Sequence, residues 1–169
     1  ATENSLLKSS DGGINFFEVS TSGGNSIFFV NDSIGWVAGD IGSLRKTIDG
    51  GETWINKSIA TNSNLNSIKF RNLNLGAVCG DNGTLLITTD GGETWLTRIT
   101  NTSQNLTSLL FKDENSIWCF GNNGLIMESN DLGITWIVHS NITDKNISAV
   151  TLKPDNSIFI AGEKGLMFR

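Results

Sequence analysis

The chain has 169 residues, 38% of them hydrophobic, which is one domain's length with enough apolar material for a continuous core. Its formal charge of −5 is scattered without runs of like sign, so neither nucleic acid nor an anionic membrane surface is an expected partner. No apolar run approaches the roughly 18 residues of a membrane span, and the opening ATENSLLKSS lacks the charged start and apolar stretch of a secretory leader.

In chain order, short β-branched or aromatic runs alternate with Gly, Asn and Asp clusters, which predicts strands joined by tight turns and no helix. Residues 1–22 predict a half-unit of two strands around SSDGGINF, with Asp11, Gly13 and Phe16 in its turn. Residues 23–61 predict a full unit: NSIFF, then GWVAG, a turn at Asp40, a third strand, and TIDGGETW with Asp49, Gly51, Thr53 and Trp54. Residues 62–102 repeat it, with Asp81 and Asn82 in the middle turn and Asp90, Gly92, Thr94 and Trp95 in TTDGGETW. Residues 103–143 do so again, with Asn122 and Asn123, then SNDLGITW carrying Asp131, Gly133, Thr135 and Trp136. Residues 144–169 predict a partial unit of strands one to three, with Glu163 in its middle turn.

The octet aspartates lie 38, 41 and 41 residues apart, and the glycine pairs at 39/42, 80/83, 121/124 and 162/165 keep the same phase. About 40 residues with four antiparallel strands is the period of a β-propeller blade, so the expected fold is an all-β propeller of about four units. Ser26, Ser67, Ser108 and Ala149 share a small position, and Phe29, Phe70, Phe111 and Leu152 a large one, as a tapering radial assembly requires.

Each octet reads as a clamp between the third and fourth strands. The aspartate accepts turn amides, the glycines take positive φ, the threonine ties across, and the tryptophan is buried between sheets. Four ring-related aspartates cannot converge on one substrate, so they are expected to be structural. Trp36 and Trp118 fall in second strands and are expected in the core. The lone histidine, His139, has no partner with metal-ligand spacing, and no cofactor or metal is expected. Cys79 and Cys119 differ by one position relative to their glycines, so they should point to opposite faces of neighbouring units and remain free thiols.

The octets resemble the Asp-box, or bacterial neuraminidase repeat, Ser/Thr-x-Asp-x-Gly-x-Thr-Trp; only SSDGGINF departs, at Asn15 and Phe16. GWVAGDIGSLRKTIDGGETW at residues 35–54 is similar to the repeat of the photosystem II stability and assembly factor family, shared by many exported bacterial proteins. Such propellers include sialidases, xyloglucanases, sorting receptors and assembly factors. The sialidase resemblance implies an arginine triad and a tyrosine nucleophile, yet the chain has no tyrosine and only the scattered Arg45, Arg71, Arg98 and Arg169. The arginine-rich patch that the assembly-factor resemblance implies is likewise missing.

The expected function is a non-catalytic, exported scaffold, extracellular or periplasmic, that binds a protein. The alternative is a glycan-binding or glycoside-hydrolase-type propeller. The face carrying Asp40, Asp81, Asn82, Asn122, Asn123 and Glu163, with the Asn/Ser/Thr-rich linkers between units, is where a protein or glycan would bind. The two incomplete units could complete a blade within one chain as a four-bladed ring. They could also do so between two copies, or with chain beyond the sequence, and a larger ring is expected.

Overall fold

The computed structural model describes residues 5–20, 23–139 and 142–168. Among the described residues, seventeen strands form five successive antiparallel sheets. The first pairs β1 (Leu6–Lys8) with β2 (Phe17–Ser20). Three complete sheets follow. The first contains β3 (Ser26–Phe29), β4 (Gly35–Ala38), β5 (Leu44–Thr47) and β6 (Ile55–Asn56). The next contains β7 (Leu65–Phe70), β8 (Gly76–Gly80), β9 (Leu85–Thr88) and β10 (Leu96–Thr97), and the third β11 (Leu106–Phe111), β12 (Ile117–Gly121), β13 (Ile126–Ser129) and β14 (Ile137–His139). The last sheet holds β15 (Ile147–Leu152), β16 (Ile158–Gly162) and β17 (Met167–Phe168). Within every sheet the strands neighbour one another in sequence order, which is the meander of propeller blades. Among the described residues the only helical pieces are three-residue 3-10 turns between second and third strands, at Asp81–Gly83, Asn122–Gly124 and Glu163–Gly165.

The blades stack through dry layers. Trp36, Ala38 and Leu44 meet Leu65, Ile68, Phe70, Val78 and Leu86 in one layer; Ala77, Leu85 and Ile87 meet Leu109, Ile117 and Met127 in the next. Strand alternation divides β8 between these layers, Val78 facing one neighbour and Ala77 and Cys79 the other, so the central sheet is buried on both sides. Trp36 is fully buried, as expected of a core residue.

Cys79 and Cys119 are free and buried, but both sit in the same layer. Their side chains do leave opposite faces of their own sheets. Stacking turns those two faces toward each other, so opposite facing brings the thiols together where the sequence suggested separation.

A second seam binds neighbouring blades. First strands of three sheets bulge between Leu65 and Ser67, Leu106 and Ser108, and Ile147 and Ala149. At two of these bulges a side chain crosses to the next blade: Asn66 Nδ2 donates to the Leu106 carbonyl at 2.9 Å, and the Thr107 hydroxyl donates to the Ile147 carbonyl. Asn25 makes the same link to Leu65 at 3.2 Å.

Candidate functional site

The four octets form one repeated turn. In the second copy the Thr47 hydroxyl donates to Asp49 Oδ1 at 2.7 Å and accepts the Gly51 N–H at 2.9 Å. The Thr53 N–H and hydroxyl then close on the two carboxylate oxygens at 2.9 and 2.5 Å. The same bonds recur around Asp90 with Thr88, Gly92 and Thr94, and around Asp131 with Ser129, Gly133 and Thr135. In the first copy Asn15 stands in for threonine, its amide donating to Asp11 Oδ2 at 2.7 Å, so the departure in sequence preserves the bond. The Ser or Thr that opens each octet is as much a part of the clamp as the aspartate. Its occurrence in all four copies was the available signal.

These bonds hold the carboxylates ionised. The hydroxyl and N–H of Thr53 lower Asp49 to about 2, those of Thr135 lower Asp131 to about 2, and the backbone and side-chain amides of Asn15 lower Asp11 to about 2. Asp90 is pushed lower still by Thr94. A carboxyl so acidic carries no proton at neutral pH, and its ionised form is a weak base, so it suits neither role in acid–base catalysis. The aromatic residues that end the octets differ in surroundings. Trp95 and Trp136 pack against interblade layers, Trp54 lies edge-on to Phe29 at 6.1 Å, and Phe16 is exposed.

The opposite face is built from the turns between second and third strands. Here the carboxylates point into a set of asparagines: Asp40 accepts from Asn25 at 2.7 Å, Asp81 from Asn66 and Asn64 at 2.9 and 3.1 Å, and Glu163 from Asn146 at 2.9 Å. The linker asparagines Asn64, Asn105 and Asn146 also accept the N–H groups of Ile41, Asn82 and Asn123 in the preceding blade. Asn122 is half-buried beneath its turn. What projects is a row of tips, Ile41, Asn82, Asn123 and Lys164, each at a left-handed φ between 53° and 55°. Asparagine tolerates that region. Isoleucine, branched at Cβ, is strained there, and Ile41 is nevertheless 76% exposed.

Clefts on this face repeat as the blades do. One of about 540 Å³ lies between Asn123, His139 and Thr143, and another of about 300 Å³ between the equivalent Asn82, Arg98 and Thr102. His139 is not isolated: its Nε2 lies 3.0 Å from Glu128 and its ring stacks on Trp118 at 5.0 Å. Among the described residues no group of three or more His, Cys, Asp or Glu could hold a metal ion. No described helix is long and apolar enough to cross a membrane.

The family model described as photosynthesis system II assembly factor YCF48 matches residues 17–102 and 96–169. No curated protein matches the chain. Among solved structures, YCF48 bound to D1 peptide superposes with a TM-score of 0.70 at 22% identity, over 82% of this chain and 48% of that one. YCF48 from Cyanidioschyzon merolae gives 0.70 at 20% identity, over 85% of this chain and 52% of that one. An ancestral GH74 enzyme gives 0.76 at 17% identity, over 97% of this chain and 25% of that one. The chain thus spans about half the length of the YCF48 structures it matches. At these identities the structural likeness speaks for the fold.

Proposed function

This chain belongs to the photosystem II assembly factor YCF48 family, and from that premise we propose that it is a non-catalytic scaffold that binds a segment of a partner protein across the row of turn tips. The observation that carries this is Ile41. A strained, exposed, apolar side chain on a binding face has no packing reason to be there, and backbone strain of this kind concentrates at ligand contacts. Around it stand neutral hydrogen-bonding tips at Asn82 and Asn123, suited to the backbone of an extended peptide. A relative in the same family, YCF48, has been solved with D1 peptide bound.

Catalysis is disfavoured by the same face. Asp40, Asp81 and Glu163 are the carboxylates a glycosidase pair would need, and their oxygens already accept from asparagine amides. The same family membership leads us to place the protein outside the cytoplasm, which fractionation of the native host would test.

The binding proposal is tested by selecting peptides from a displayed library on the intact chain and measuring their affinity by calorimetry. Ile41→Asn relieves the strained φ and removes the apolar contact, so it should raise stability while weakening peptide binding. Asn82→Ala and Asn123→Ala should each weaken binding up to about tenfold, the worth of a hydrogen bond of roughly 1 kcal/mol. Selected peptides that bind all three variants as tightly as the parent would refute the proposal.

A further inference from the structure

The four turn tips share one backbone and differ in chemistry. Asn82, Asn123 and Lys164 sit at φ of 55°, 53° and 53° with ψ of 37°, 35° and 35°, and Ile41 at a φ of 53°. Their Cα–Cβ bonds therefore leave equivalent turns in equivalent directions, and all four residues are exposed. Along the row the groups run apolar, amide, amide, ammonium. Lys164 has no structural task, since its ammonium makes no hydrogen bond or ion pair among the described residues. Asp144, whose carboxyl is lowered first by the hydrogen bond from Lys145 and last by the Lys164 charge, is paired with Lys145 at 2.7 Å.

A second asymmetry runs the same way. At the Ile41 end the carboxylates of Asp40 and Asp81 are held by the neutral amides of Asn25, Asn64 and Asn66, and neither meets a cation at ion-pair distance among the described residues. Two negative charges stand there uncompensated. At the other end Glu163 and Asp144 are matched by Lys164 and Lys145. The face is thus negative at one end and balanced at the other, where an unpaired ammonium forms the tip. An acidic group on a partner is repelled from the first end and drawn to the second.

We propose that the row binds its protein segment in one direction: an apolar side chain meets Ile41, the main chain runs along Asn82 and Asn123, and an Asp or Glu side chain meets Lys164. This rests on the peptide-binding reading of the face and adds the sequence that the face selects. Main-chain donors and acceptors alternate along a segment whichever way it lies, so the two amide tips accept either direction and the unlike ends decide. Stacked sheets lie about 10 Å apart, so three blade steps separate Ile41 from Lys164 by roughly 30 Å along the row. At about 3.3 Å per extended residue, the acidic group belongs about nine residues from the apolar one.

Dodecapeptides selected from a random displayed library on the intact chain should be enriched in Asp or Glu toward one end and in aliphatic or aromatic residues about nine positions away. Lys164→Asn gives this tip the residue of its two neighbours, suits the left-handed turn and removes the charge. It should weaken a selected peptide about two- to fivefold at low salt, as should exchanging the peptide's acidic residue for its amide, with no further loss when both are changed. Direction is read by nuclear magnetic resonance: a nitroxide on the acidic end of the peptide should broaden the amide signals of residues 163–165, and one on the apolar end those of 40–42. A selected peptide that needs Ile41 and Asn82 but ignores Lys164→Asn, or whose acidic end broadens 40–42, would overturn the proposed direction and leave peptide binding at the tips standing. Binding unchanged by Ile41→Asn, Asn82→Ala and Asn123→Ala together would refute peptide binding at the tips, and the direction with it.

Discussion

Alanine placed at the same glycine of successive Asp boxes should cost very different amounts, because the turn is constant while its neighbour is not. Gly13, Gly51, Gly92 and Gly133 all sit at positive φ, between 78° and 91°, so each substitution bears a backbone penalty of about 1–2 kcal/mol. At Gly51 the new methyl finds ordinary contact, 3.5 Å from Phe29 and Trp54; at Gly13 the nearest atom is 3.9 Å away. At Gly92 it would lie 2.2 Å from the ring of Trp36, which is wholly buried and stacked at 5.2 Å on Phe70. Moving that ring adds an overpacking cost of about 1–3 kcal/mol. Gly92→Ala should therefore destabilise by about 2–5 kcal/mol and Gly51→Ala by about 1–2. Gly133, with Arg98 and Trp136 at 3.1 and 3.2 Å, should fall between them. Urea unfolding followed by tryptophan fluorescence and circular dichroism measures the series, provided the two transitions coincide. Equal costs at Gly51 and Gly92 would show that Trp36 does not back the third box as described.

The box aspartates make stability sensitive to acid: their folded values near 2 lie below the ordinary 3.8, so their contribution is complete above about pH 4 and is lost as pH falls toward 2. The melting temperature should drop across that window, and Asp49→Asn should flatten the drop. Phe70→Ala, which removes a ring stacked between Phe28 and Trp36 at 6% exposure, should cost about 3–5 kcal/mol, and the more exposed Phe29→Ala less than half of that, by the same unfolding assay. Burial raises both thiols, so Cys79 and Cys119 should resist a thiol reagent in the native protein and react together on unfolding, as mass spectrometry can count.

The sequence was legible where the chemistry is local. An Asp box completes its bonds within seven residues, from Ser9 to Asn15 or Thr47 to Thr53, so its residue types and spacing reveal the turn and, by repetition, the blade. Bonds that span a whole blade were harder to see. Asn25, Asn66 and Thr107 do one job with two residue types, and only the 40-residue offset of their acceptors unites them. On the loop face, Asp40, Asp81 and Glu163 read as binding residues because the asparagines that hold their carboxylates come from other segments. The regular spacing of Asn64, Asn105 and Asn146 was the clue in the sequence. The thiols show the same limit, since strand alternation gives the face of a residue but not which neighbour that face meets.

Binding across the turn tips is tested most directly by hydrogen exchange of the intact chain with and without a selected peptide. Slowed exchange should centre on the second-to-third-strand turns at 40–42, 81–83 and 122–124, with the Asp-box turns at 49–53, 90–94 and 131–135 unchanged. Protection confined to the Asp-box turns would contradict a scaffold that binds through Ile41, Asn82 and Asn123.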